Sequence, residues 1–322
     1  EFRAEYVNAA REVGTLFLNA GRLSDAWAYF RTIGEPEPVR SAIEKVQIPR
    51  EPDERFDEIM NLALYEGAHV VRGLEFLLRT HGTCNTVTAM SQLIQQMSPE
   101  ERRKSAAMMV RSLYEDLSAS VKRHVEQRQP VLNPAASLTE LIGSREWLFA
   151  DGNYHVDVSH LHSIVAFARH LQREDPELRL AIEMARYGSQ LSEHLRYPGD
   201  VPFDDYYTAH LHFLNALAGD EVDEGLDYFI GRLEHEPDER DRQLIAFVIV
   251  DLANRVGQIP RALEAAAPYV SRMEDHSGFS FTSFCIQHGR SDVLEAMARK
   301  NDDVLGVATA LLTRSAPSSV TT

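Results

Sequence analysis

Gly14-Thr15-Leu16-Phe17-Leu18-Asn19-Ala20-Gly21-Arg22-Leu23-Ser24-Asp25-Ala26-Trp27-Ala28-Tyr29-Phe30, with Pro38 further on, is the stretch that decides the fold class. It reads as two short helices folded back on each other across a turn at Gly21. The small Ala26, five residues past the turn, lets the second helix approach the first, and Phe30 follows one turn later on the same face. The same register recurs as Asp220 with Gly225 and Phe229, Gly257 with Ala262 and Ala266, and Gly289 with Leu294 and Ala298. Gly82 with Val87 and Ser91 is a fainter fifth instance. Recurrence of one supersecondary unit predicts an all-α chain of stacked antiparallel helical hairpins.

Residues 7–40 resemble a tetratricopeptide repeat. Gly14, Phe17, Ala26, Phe30 and Pro38 fall where that repeat of about 34 residues places its glycine, aromatic, alanine, phenylalanine and closing proline. Ala10 stands where the family favours Trp, and Ile33 where it favours Ala. Residues 206–237 keep the later positions, Gly225, Phe229 and Pro237, with Phe213 in place of the glycine. The resemblance implies an α-solenoid whose successive first helices form a concave binding face.

Helical periodicity extends beyond these units, through Phe56, Ile59, Met60, Ala63 and Leu64, then Val70, Leu74, Leu77 and Leu78, and again through Leu161, Ile164, Val165, Ala168 and Leu171. Ser98-Pro99-Glu100-Glu101 has the N-cap, first-position proline and third-position glutamate of a helix start. Asp53 and either Asp157 or Ser159 are expected caps. One stretch departs from the rhythm. Trp147-Leu148-Phe149-Ala150, Asp151-Gly152 and Asn153 to Val158 read as a small β-hairpin insertion near 146–158 around an Asp-Gly turn. The expected organisation is a helical-hairpin lobe over 1–128, a linker and β-hairpin over 129–158, a second helical lobe over 159–314, and a disordered tail over 315–322.

Composition bounds the function. The 322 residues carry 44% hydrophobic residues and a formal charge of −16. No apolar run approaches the roughly 20 residues that span a bilayer, so a soluble chain without membrane association is expected. The acidic balance opposes binding to polyanionic nucleic acid. Cys84 and Cys285 form neither a disulfide framework nor a metal-ligand spacing. The chain opens at Glu1 without an initiator methionine, which points to removal of an upstream segment. The cytoplasm is the favoured compartment, with an exported form left open.

Histidines supply the candidate chemistry. His155, His160 and His162 cluster around Asp157, and His210 and His212 share a helix. Imidazole ligates metals and serves as acid or base near neutrality. Residues two apart on a helix point away from each other, however, and a zinc pair prefers four-residue spacing. Glu66-Gly67-Ala68-His69 has the Glu-x-x-His spacing of helical di-iron sites, but only one such motif is present. Asp204-Asp205 reads as ordinary first-turn acid at a helix start. There is no P-loop, dinucleotide fingerprint or G-x-S-x-G motif.

The expected function is a non-catalytic module that receives a protein segment or peptide in a concave groove lined by Glu66, His69, His155, His160, His162, Tyr206 and His210. No cofactor and no metal is expected. The alternative is an enzyme on an α/α toroid, possessing His, Tyr and Glu acid-base chemistry or a His-bound metal and directed at carbohydrate.

Overall fold

The structure, a computed structural model, describes residues 2–128, 133, 135–273 and 279–315. Every regular element among these residues is helical. The first half comprises α1 (Phe2–Asn19), α2 (Leu23–Thr32), α3 (Glu37–Glu44), α4 (Glu54–Leu64), α5 (Val70–Leu93), α6 (Pro99–Glu126), the short α7 (Leu138–Ile142) and α8 (Val158–Phe167). There follow α9 (Glu177–Ser189), α10 (Tyr206–Ala218), α11 (Val222–His235), α12 (Glu239–Val256), α13 (Ile259–Val270), α14 (Phe281–Gln287), α15 (Ser291–Lys300) and α16 (Val304–Ser315). Helices adjacent in sequence pack together: α1 with α2, α4 with α5, α10 with α11, α12 with α13, and α15 with α16. None of the described helices is long and apolar enough to cross a membrane.

The hairpin register accounts for the pairs α1–α2, α10–α11 and α12–α13, and for α14 with α15, which also pack together. In all four units the second helix begins two residues after the aligned turn position, at Leu23, Val222, Ile259 and Ser291. The residue five past the turn is buried each time, as Ala26, Gly225, Ala262 and Leu294, and so is the residue four later, as Phe30, Phe229, Ala266 and Ala298. Gly21, Gly257 and Gly289 hold φ of 72°, 77° and 66°, a region that a side chain resists. In the remaining unit the left-handed glycine is Gly219, one residue before Asp220, so the turn shifts while the second helix keeps its register. Gly82 does not open a fifth hairpin. With φ 80° and ψ −179° it kinks α5 from within, and Ser91 is exposed.

The expected caps form. Ser98 Oγ accepts from the Glu101 N–H while Glu101 accepts from the Ser98 N–H at 2.8 Å, a complete capping box. Asp53 caps α4 through the Phe56 N–H at 2.8 Å, and Asp157 caps α8 through the Ser159 N–H at 2.8 Å.

The β-hairpin expected near 146–158 is absent. Glu146–Gly152 is 3-10 helical, broken at Ala150 and at Asp151, whose φ is 56°. The Asp-Gly pair therefore stops a helical turn. Of the expected linker, Ser137 and Glu140 form a second capping box at α7, while residues 129–132 and 134 lie outside the described residues. Ser315 closes α16, and the rest of the expected tail, 316–322, also lies outside them.

The chain groups into two compact units, one of residues 1–148, 154–171 and 175–181, the other of 149–153, 172–174 and 182–322. Residues 159–171, read from sequence as the start of the second lobe, thus pack within the first unit. Its core includes the tilted pair Phe56 and Phe76, 5.1 Å between ring centroids. The second unit is centred on Phe203, Phe213 and Phe229, with Phe203 5.9 and 5.7 Å from the other two rings.

Candidate functional site

Within the first unit, α3, α5 and α6 enclose a cavity of about 600 Å³, lined by Glu37, Arg40 and Glu44 of α3, His69, Val71, Arg72 and Glu75 at the start of α5, and Glu100, Glu101 and Lys104 of α6 among others. A second cavity, also about 600 Å³, continues along α5 and α6 past Val71, Glu75, Leu78, Arg79, Met108, Arg111, Glu115 and Asp116. Val71 and Glu75 line both, so the two form one trough. The positions 71, 75, 78, 79 and 82 lie on one face of α5, which is why a single helix can wall its whole length.

Local hydrogen bonds fix the rim. His69 caps α5, its Nδ1 accepting from the Arg72 N–H at 3.3 Å. That bond assigns the ring proton to Nε2, which donates to Glu44 Oε1 at 3.3 Å. Arg72 donates to Glu75 at 2.5 Å and to the Val46 carbonyl at 2.7 Å, with its guanidinium 4.7 Å above the Phe76 ring. Arg40 donates to Glu37 and to the Ala68 carbonyl, both at 3.1 Å. Lys104 pairs with Glu100 at 3.4 Å, and Arg111 with the buried carboxylate of Glu177. Arg40, Arg72, Lys104 and Arg111 are thus engaged within the chain, while the first cavity alone carries five carboxylates, Glu37, Glu44, Glu75, Glu100 and Glu101, against Arg40, Arg72 and Lys104.

Of the residues singled out in the sequence, His69 lies on the trough. Glu66 is exposed in the loop between α4 and α5 and does not line it. The Glu-x-x-His reading fails because α4 ends at Leu64 and α5 begins at Val70, so Glu66 and His69 share no helix, and Gly67 at φ 75° lies between them. His155, His160 and His162 gather around the start of α8, also in the first unit, but none of them lines the trough. His160 lies in the first turn of α8, its backbone N–H 3.4 Å from Asp157. The Ser159 hydroxyl bonded to Asp157 holds that carboxyl below its usual range. His155 Nε2 meets His124 Nδ1 at 2.9 Å, and the His124 ring stands edge-on to Trp147 at 5.1 Å. Tyr206 and His210 do come together, as core rather than groove. His210 is fully buried, its Nδ1 donating to the Tyr206 carbonyl at 2.7 Å, with its ring 4.5 Å from Phe203 and 4.3 Å from Tyr206. Tyr206 also borders a smaller cavity of about 290 Å³ beside Asp204 and Asp205. Among the described residues, no three His, Cys, Asp or Glu side chains group as a metal-ligand set. Cys84 is exposed, and burial pushes the Cys285 thiol up to about 12, which leaves it protonated and unreactive at neutral pH.

The sequence reading missed Arg72, Glu75, Arg79, Lys104 and Arg111. Their signal was a mixed-charge helix face at three- and four-residue spacing, which looks the same whether it faces solvent or a trough.

Burial, and secondarily the neighbouring His124, lowers His155 to about 4. The unfolded chain therefore binds this proton more readily, and stability rises with pH between about 4 and the ordinary value near 6.5. Acidification from pH 7 to 4 is expected to remove on the order of 1 to 2 kcal/mol through this ring, discounted because solvent reaches part of it. Melting curves of the wild-type chain and His155→Gln across that range test this. Equal pH slopes in the two proteins would contradict it.

Comparison with protein-family models, with curated proteins and with solved structures finds no match to this chain.

Proposed function

We propose that the chain is a non-catalytic interaction module of the helical-repeat kind, in which hairpins add as like layers. The trough along α5 and α6 receives a segment of a protein partner that carries Lys or Arg side chains among apolar ones. One observation carries this reading: two cavities joined through Val71 and Glu75 make an elongated channel whose carboxylates outnumber its cations. Leu78 and Met108 provide apolar floor between the charged positions. An incoming cation would meet Glu44, Glu115 and Asp116, all exposed, and need not break the rim pairs of Arg40 or Arg72. Such complementarity steers association and fixes register more than it adds affinity, so binding should weaken steeply with salt.

Selection from a displayed random peptide library against the chain tests the proposal. Enriched peptides are expected to be rich in Lys and Arg and to bind Glu44→Lys/Glu115→Lys at least tenfold more weakly, at unchanged melting temperature. Peptides without basic residues, or ones that bind the double variant as well as the wild type, would overturn it.

A further inference from the structure

The cavity of about 290 Å³ in the second unit lies at the start of α10 and carries donors that the chain itself does not use. Tyr207, in the first turn, is only 3% exposed. Its ring occupies the space left by Gly188, where a Cβ would stand 2.4 Å from the ring's Cζ. Among the described residues its hydroxyl has no hydrogen-bond partner, a costly state for a buried polar group. Tyr207 lines the cavity, so the little surface it keeps opens there. Burial pushes its pKa up, which keeps the hydroxyl protonated and able to donate. Arg196, exposed on the same cavity, is the charged group that opposes this shift, and among the described residues it makes no ion pair. Asp205 stands at the N-cap of α10 without a side-chain cap bond, so the N–H groups of Tyr207 and Thr208 also lack an acceptor among the described residues. A phenol, a guanidinium and open first-turn N–H groups on one cavity are the donors that a carboxylate takes.

Carboxylates of the chain line the cavity too, but not at the Tyr207 hydroxyl. Asp204 accepts from Arg232 at 2.7 Å, and Asp204 and Asp205 act on Tyr228 rather than on Tyr207. Asp205 and Glu193 are exposed on the cavity and make no ion pair among the described residues. The cavity thus has a donor end, at Tyr207 and Arg196, and an acidic side. A dianion such as phosphate meets those carboxylates as like charges, whereas a zwitterion finds both of its charges matched. Size narrows the choice further. Sites for drug-sized ligands run from about 300 to 1,000 Å³, so this one suits a smaller molecule.

We propose that this cavity binds a free α-amino acid, with its carboxylate on Arg196, the Tyr207 hydroxyl and the start of α10, and its ammonium group toward Asp205 and Glu193. Calorimetric titration of the full chain with the common α-amino acids is expected to find at least one that binds and raises the melting temperature. The C-terminal amide and the N-acetyl derivative of that amino acid are expected to bind at least tenfold more weakly. Tyr207→Phe deletes a hydroxyl that has no partner among the described residues, and Arg196→Gln an exposed guanidinium with no ion pair there, so both variants are expected to melt as the wild type does. Each loses at least tenfold in affinity for the amino acid. Asp205→Asn/Glu193→Gln weakens the amino acid by a similar factor but leaves its N-acetyl derivative unchanged. Absence of binding by every amino acid overturns the proposal. So does binding that is indifferent to Tyr207→Phe and Arg196→Gln, or inorganic phosphate binding the wild type at least as tightly as the best amino acid, which would make this a phosphate site.

Discussion

Phe229→Ala is expected to cost about 3 to 5 kcal/mol, because removing a fully enclosed ring forfeits its transfer energy and leaves a cavity its neighbours only partly refill. Phe229 meets Phe203 at 5.7 Å, Phe213 at 6.4 Å and Tyr228 at 5.1 Å, each near edge-on, so the substitution also removes three aromatic contacts. Phe203 in turn packs at a tilt against His210, whose ring is wholly enclosed. The ring at 229 thus supports the α10–α11 hairpin and the buried imidazole together. Urea unfolding followed by far-ultraviolet circular dichroism measures the loss. A drop below 1 kcal/mol would show that the site collapses freely and that the register residue is dispensable.

Gly225→Val one turn earlier is expected to destabilise by about 2 to 3 kcal/mol through the opposite failure, overpacking. Glycine inside a helix normally invites substitution, since alanine is better there by roughly 1 kcal/mol. The geometry reverses that sign at Gly225. A Cβ would lie 2.6 Å from the Ala216 Cβ and 2.7 Å from the His212 carbonyl oxygen, and the latter is backbone that cannot rotate away. Gly231, two turns along the same helix, has nothing within 4 Å of its would-be Cβ. Gly231→Ala is therefore expected to stabilise by about 0.5 to 1 kcal/mol, and the pair of variants separates contact from propensity. Equal effects at 225 and 231 would mean that the helices are not held at this separation.

These two residues also show how the sequence carried the fold. A small residue five past the turn and a second core position four later is a statement about helix geometry, and in each unit the structure starts the second helix two residues after the aligned turn, at Leu23, Val222, Ile259 and Ser291. Capping chemistry is as local, which is why Ser98 and Asp53 could be read from sequence, and why the α8 cap could be narrowed to Asp157 or Ser159, of which the structure uses Asp157. The errors arose where local pattern underdetermines geometry. Trp147 to Val158 reads as two short arms around an Asp-Gly pair, yet Glu146–Gly152 is 3-10 helical, because a short apolar run before a turn suits either conformation. Glu66 and His69 have the right spacing on the wrong backbone, because the conformation of Gly67 intervenes.

By itself the sequence determined helicity, hairpin register and caps, all of which depend on residues within one or two turns of each other. Only the tertiary structure decided which polar faces meet. It joined Glu44 of α3 to His69 before α5, set α5 beside α6 as the walls of one trough, and sent His210 into the core. The reason is physical: a charged or histidine-bearing face has the same periodicity whether it borders water, a cavity or another helix, and burial depends on neighbours that lie far along the chain.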